Sequence, residues 1–214
     1  MSEQFGIGNK DIKTNNIESF KGEKGKTYVI SIAWDTLESC FKGSKYHYSE
    51  RLKKGWRCLS TESNNAICCT HSYDGNEPTQ RIAAPIVIYK TDENNIVTGI
   101  SKVSPWRFGA SMYKKMERIF IKYGHVDLSL TCTDDKYQNF DIMPEPGCVW
   151  KKDEKVSNFV MAKAREIMEK DIEKMLGKKM TEVEIREYLG LNTNAGDTNG
   201  GMDFSSLAEN IPGA

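Results

Sequence analysis

No apolar run in this chain approaches the roughly 20 residues that a membrane-spanning helix needs, and its first residues lack the basic-then-apolar build of a signal peptide. Those absences point to a cytoplasmic protein with no membrane partner. Also missing are a Gly-x-x-x-x-Gly-Lys-Ser/Thr phosphate loop, a Gly-x-Ser-x-Gly nucleophile elbow and a His-Glu-x-x-His metal helix. The commonest nucleotide-hydrolysing, acyl-transferring and metalloprotease constellations are thereby excluded, and a non-enzymatic role is expected. No repeat at solenoid or propeller period is visible. In a reducing compartment, six cysteines in 214 residues point to metal ligands or buried apolar side chains, not a disulfide framework.

Net charge is absent too: 30 Lys and Arg balance 30 Asp and Glu. The balance is uneven along the chain. Residues 190–214 carry Asp197, Asp203 and Glu209 and no Lys or Arg, which leaves residues 1–189 with 30 basic and 27 acidic side chains. From Lys21 to Ser60 there are nine basic residues and four acidic ones. A mildly basic body with a base-free tail suits an anionic partner.

The scarce histidines and cysteines cluster. His47, Cys58, Cys68, Cys69 and His71 fall within 25 positions, although the chain holds only nine His and Cys. Tetrahedral Zn²⁺ takes four N or S ligands, two of them commonly from one tight turn. Cys68 and His71 could form that turn, and His47 and Cys58 could come from two arms of a hairpin turning at Lys53-Lys54-Gly55. Cys69 competes with His71 for the fourth position, and Cys40 is nearby. No acid lies at a spacing that would activate a metal-bound water, so one closed structural zinc is expected.

Around this cluster the patterning is mostly β. Tyr28–Trp34 is apolar on both parities, as in a strand buried on both faces. Arg81–Lys90 and Ile96–Val103 form a hairpin turning at Asp92–Asn95, and Pro85 suggests an edge or a bulge. Gly109–Tyr123 has helical spacing and stops at Gly124. Val126–Thr133 alternates like a half-buried strand, and Tyr137–Met143 returns beside it. One helix among five or more short strands is an OB-type order. Val156 to Leu176 marks one face of a helix of about five turns. Thr181-x-x-Glu184 opens another helix with a capping box. The expected organisation is a flexible arm (1–25), a core (26–152) with a zinc-stapled subdomain (45–80), C-terminal helices (153–189) and a disordered acidic tail (190–214).

Of the 21 aromatic residues, 16 lie between Lys21 and Trp150, many beside a basic residue, as in Lys45-Tyr46, Trp56-Arg57, Tyr89-Lys90, Trp106-Arg107 and Lys136-Tyr137. Unpaired bases stack on aromatic faces while Lys and Arg track phosphates, so the interleaving suits single-stranded DNA or RNA. The residues expected at such a surface are Tyr48, Arg57, Tyr73, Arg81, Lys90, Lys102, Trp106, Arg107, Tyr137 and Trp150. Trp106, between Pro105 and Arg107 at a strand end, is the hardest of them to bury. Tyr28, Phe108 and Phe120 suit a core. His125, alone at a helix-to-strand junction, reads as a surface residue.

Three segments resemble the zinc-containing single-stranded DNA-binding proteins of T-even phages. They are His47 to His71 with its Lys54-Gly55-Trp56-Arg57-Cys58 hairpin, Trp106-Arg107-Phe108-Gly109 running into a helix with Tyr113, Lys115 and Ile119, and Val126-Asp127-Leu128 through Thr131-Cys132 to Asn139-Phe140. The likeness covers about residues 26–152. It implies an OB-fold barrel with an inserted zinc subdomain, coating single strands in replication, recombination and repair. By position it implies His47, Cys58, Cys68 and His71 as zinc ligands, with His71 standing where the family has Cys. Trp106 and Arg107 would line a basic cleft, with Phe140 as a second stacking platform. A phage-encoded protein of this kind works in the host cytoplasm. The tail, with Met202-Asp203-Phe204 and Ile211-Pro212, would recruit replication or recombination proteins. The rival expectation is a zinc-ribbon adaptor recruiting replication or transcription proteins, with its aromatics in the core.

Overall fold

β-Branched and apolar side chains on both parities make Thr27–Ile32 a strand (β1) that is buried on both faces from Val29 onward. The structure, a computed structural model, describes residues 19–49, 54–59, 78–134 and 139–189. Six strands follow β1: β2 (Lys42–Ser49), β3 (Lys54–Arg57), β4 (Thr79–Thr91), β5 (Val97–Gly109), β6 (Leu128–Cys132) and β7 (Phe140–Pro144). They join in one antiparallel sheet of order β3-β2-β4-β1-β6-β7, with β5 on the other side of β4. No ladder among the described residues closes the sheet into a barrel. Among the described residues the α-helices are α1 (Leu37–Cys40), α2 (Ala110–Tyr123), α3 (Glu154–Ile167), α4 (Glu173–Met175) and α5 (Glu182–Leu189).

The long strand β4 organises the sheet. β5 pairs with it from Arg81 to Thr91, while β2 and then β1 follow one another along its other side. Pro85 therefore lies in a central strand, not at the expected edge. It stands opposite Pro105. The Pro85 carbonyl accepts from Ala33 N–H and the Pro105 carbonyl from Phe20 N–H. In an antiparallel ladder a residue's N–H and C=O face the same side. Both ring nitrogens thus point away from the β4–β5 ladder, which needs no N–H from either. At the far end Asp92 Oδ1 accepts from Asn94 and Ile96 N–H, and Asn95 takes φ 62°, closing the expected hairpin.

One face of the sheet curls over a core of Ile30, Ile86, Trp106, Leu128, Leu130 and Phe140, covered by Met112, Met116 and Phe120 of α2. The helix ends as expected at Gly124, whose φ is 73° and whose N–H donates to Phe120 O. The other face carries Val29, Val87, Tyr89 and Ala83 and is covered by a 3-10 turn (Val149–Lys152) and α3. β6 is consequently buried on both faces, correcting the half-buried reading: Asp127 and Ser129 lie under this second layer. Asp153 caps α3 by accepting from Val156 N–H. A π-helical turn (Met168–Ile172) links α3 to α4 within one continuous helical run. Gly177, at φ 106°, stops it. The capping box of α5 forms as expected, with Thr181 Oγ1 accepting from Glu184 N–H and the Glu184 carboxylate from Thr181 N–H.

Two further expectations need correction. Residues 19–25 do not belong to a loose arm, because Phe20 is buried in the core. His125 is not a surface residue. It is half-buried, and since a carbonyl can only accept, its Nε2–H donates to Ile32 O at 3.0 Å. Burial, then the neighbouring Lys151, lowers its pKa to about 4, so the imidazole is neutral. No described helix is long and apolar enough to cross a membrane.

Candidate nucleic-acid interface

Alternation along β2 puts Lys42, Ser44, Tyr46 and Tyr48 on one face, and the register extends that face across the sheet. One row runs Lys42, Ala83, Arg107; the next runs Ser44, Arg81, Gly109; a third runs Arg57, Tyr46, Thr79. Four cationic and two aromatic side chains thereby share a strip at one end of the sheet. The Arg81 guanidinium lies over the Tyr46 ring, 3.0 Å from its centroid, a cation–π contact. Arg81 is half-buried. Burial lowers its pKa, the adjoining Arg107 lowers it further, and Tyr46 opposes both. Neither guanidinium has a carboxylate partner among the described residues, and guanidinium groups left so suit an anion.

The strip's far end is covered. Arg57 donates to Glu173 Oε2 at 2.7 Å and through its backbone N–H to Lys178 O, while Ser44 Oγ donates to Leu176 O. A Cβ on Gly177 would sit 2.7 Å from the Tyr46 ring, so only glycine permits this approach. Arg57 is therefore held by the helical layer, unlike Arg107 and Lys42, which are exposed.

Of the other expected contact residues, Tyr48 is 44% exposed on the same face, and Lys90 and Lys102 are exposed away from the strip. Tyr73 and Tyr137 lie outside the described residues. Trp106 and Phe140 are each 2% exposed and Trp150 is 1% exposed, which corrects their reading as open stacking platforms. β5 runs on to Gly109, so Trp106 falls inside a strand and turns into the core, where Phe108 packs 4.7 Å from it. Trp150 is held under the second layer, its Nε1–H donating to Ser31 Oγ. Lys42 and Tyr46 escaped the list of expected contacts, though the period-two pattern from Lys42 to Tyr48 could have found them.

The zinc expectation rests partly on Cys68, Cys69 and His71, which lie outside the described residues. Among the described residues no group of three or more potential ligands gathers. His47 and Cys58 do lie on opposite arms of the β2–β3 hairpin, but Lys54 and Gly55, expected at its turn, belong to β3. His47 pairs with Trp56 and Cys58 N–H donates to Lys45 O. Positions 45, 47, 56 and 58 thus share one face, with His47 and Cys58 on its diagonal. Burial, then Lys45, lowers the His47 pKa and keeps the imidazole neutral, the form that ligates metal. These two residues fit half of a zinc site, and Cys68 with His71 or Cys69 would complete it. The ion would tie residues 60–77, which enter between β3 and β4, to the base of the hairpin.

No family model matches this sequence, and no curated protein matches it.

Proposed function

We propose that the protein is a non-enzymatic single-stranded nucleic-acid-binding protein, DNA being the first choice, built as an OB-type barrel with a zinc-stapled subdomain between β3 and β4. The observation that carries this is the strip of Arg81, Arg107, Lys42 and Tyr46, where two guanidiniums with no carboxylate partner among the described residues adjoin an aromatic ring. Phosphates would take the cations and a base would find Tyr48, which is 44% exposed on the same face. Coating of single strands in phage-type replication, recombination and repair is the corresponding role, with replication or recombination proteins as partners through the acidic tail, which lies outside the described residues.

Titration with polythymidylate across a salt series tests this. Binding should weaken steeply with salt as counterions are released, by a slope of about 0.7 per phosphate contact on a single strand. Replacing Arg81 and Arg107 together by Ala should lower that slope by about 1.4. Absent or salt-insensitive binding would reject the proposal. Elemental analysis should find one zinc per chain, lost with Cys58→Ser; zinc-free wild-type protein that melts unchanged would reject the metal.

A second reading has its own support. Burial of Trp106, Phe140 and Trp150 is what an adaptor module with a core of aromatics would show. A pull-down of polymerase or helicase that survives nuclease treatment, from a protein that ignores polythymidylate, would favour the adaptor.

A further inference from the structure

Residues 19–26 run from the outer edge of β5 to the end of β6. Phe20 N–H donates to Pro105 O at 3.0 Å, and Arg107 N–H donates to Ser19 Oγ at 3.3 Å. At the other end Gly25 N–H donates to Cys132 O and Cys132 N–H to Lys26 O. Between these anchors Phe20 drops into the core. Its ring stacks on Phe140 with 27° between planes and 6.0 Å between centroids, and it meets Trp106 edge-on at 5.7 Å. Tyr28 closes a third side, edge-on at 5.2 Å. A flat aromatic ring inserted between Phe140, Trp106 and Tyr28 has the shape and contacts of a stacked nucleobase.

Gly22 and Gly25 bracket the middle of the segment, and Gly25 takes φ 76°. A Cβ at Gly22 would lie 2.6 Å from the Phe140 ring and 3.1 Å from Cys132 Cβ, so the backbone itself passes close over Phe140. Lys21, Lys24 and Lys26 are exposed along the segment, against one acid, Glu23. Its Ser19 end is tied to the backbone of Arg107, whose exposed side chain belongs to the cationic strip.

We infer that residues 19–24 are a displaceable strap and that Phe20 occupies a nucleobase site on Phe140. The inference rests on the single-strand reading proposed above. A strand that engages Arg107 pulls the Ser19 anchor, Phe20 swings out about Gly22 and Gly25, and a base takes its place on Phe140 with Trp106 beside it. The lysines of the freed strap then face phosphate. Since the strap must open first, the measured affinity is reduced by the fraction of molecules already open.

Two variants open the strap by different means. Phe20→Ala removes the ring; Gly22→Ala keeps the ring but puts a methyl group against Phe140. With circular dichroism confirming folding, each should bind a thymidine oligonucleotide about tenfold tighter than wild type, the worth of one modest stacking contact. Hydrogen exchange supplies the independent readout. On saturation of the wild type, the Phe20 and Arg107 amides should exchange about tenfold faster, while Gly25 keeps its protection. If the oligonucleotide saturates the wild type by fluorescence anisotropy and both amides stay protected, the strap proposal is overturned and single-strand binding stands. Folded variants that bind no tighter than wild type overturn it as well. If neither wild type nor variants bind, the single-strand reading fails and the nucleobase site falls with it.

Discussion

Replacing Trp106 by Ala should destabilise the protein by about 3–5 kcal/mol, the usual cost of truncating a buried Trp. The side chain is 2% exposed and sits among Phe20, Phe108 and Phe140, with ring centroids 4.7–5.8 Å away. Residues from β5, β7 and the 19–24 strap meet on it, so the cavity left behind has walls from three separate segments that cannot all collapse inward. For a chain of this size the melting temperature should fall by roughly 10 °C. In urea, the midpoint should drop with little change in slope, as for a loss of packing without a change in the unfolded state. Lys102→Ala, exposed on the same strand, should stay within about 0.5 kcal/mol. A loss below about 1 kcal/mol for Trp106→Ala would mean that solvent already reaches the indole.

The strap proposal and the Trp106 result are linked. Phe20 stacks face-on with Phe140 but edge-on with Trp106. Opening the strap frees a face of Phe140, while Trp106 keeps Phe108 and Phe140 as neighbours. Trp106 is thus a side wall of the proposed base site, and its removal is felt first in stability.

Much of the architecture was legible because local signals agree with the tertiary structure. The Asp92–Asn95 turn, the Gly109–Gly124 helix limits, and the Thr181–Glu184 box each depend on residues a few positions apart, and each forms as expected. The long C-terminal helix was legible from its apolar spacing, but the π-turn within it was not, since no residue there marks a break. Longer-range choices were illegible. Pro85 signals an edge unless one knows that Pro105 stands opposite and that both carbonyls find partners elsewhere. The alternation through β6 shows one apolar face, yet says nothing of a second helical layer arriving over the polar one. Trp106 follows Pro105 and precedes Arg107, a local pattern suited to an exposed end; it is buried because β5 continues past it. The cationic strip was half legible. Arg81 and Arg107 stand out singly, but their meeting, with Tyr46 between strands, follows from register.

Asp127→Ala should cost about 3 kcal/mol at neutral pH, because it strips the acceptors from the buried Tyr89 hydroxyl and from the part-buried Val149 N–H. The Asp127 side chain belongs to a residue only 1% exposed. Its Oδ1 accepts from Tyr89 OH at 3.1 Å and its Oδ2 from Val149 N–H at 2.9 Å. Tyr89 OH in turn accepts from Trp150 N–H, and Trp150 Nε1–H donates to Ser31, whose Oγ lies 3.3 Å from Cys148 Sγ. One carboxylate therefore ties β6 and β4 to the 3-10 turn from which the helical layer starts. Its pKa is raised, since burial outweighs the hydrogen bonds from Val149, Ser31, Tyr89 and Cys148. The sign follows from proton linkage. Between the ordinary carboxyl value of 3.8 and the raised folded value, the native state binds the proton more tightly than the unfolded chain does. That contribution is complete below 3.8 and is lost as pH rises through the folded pKa. Asp127→Asn removes the titration while keeping the shape. Subtracting its stability from the wild type at each pH cancels the other carboxylates, and the difference should grow in favour of the wild type as pH falls through that window. A flat difference would mean that Asp127 titrates alike in folded and unfolded chains, and that its burial does not govern its ionisation.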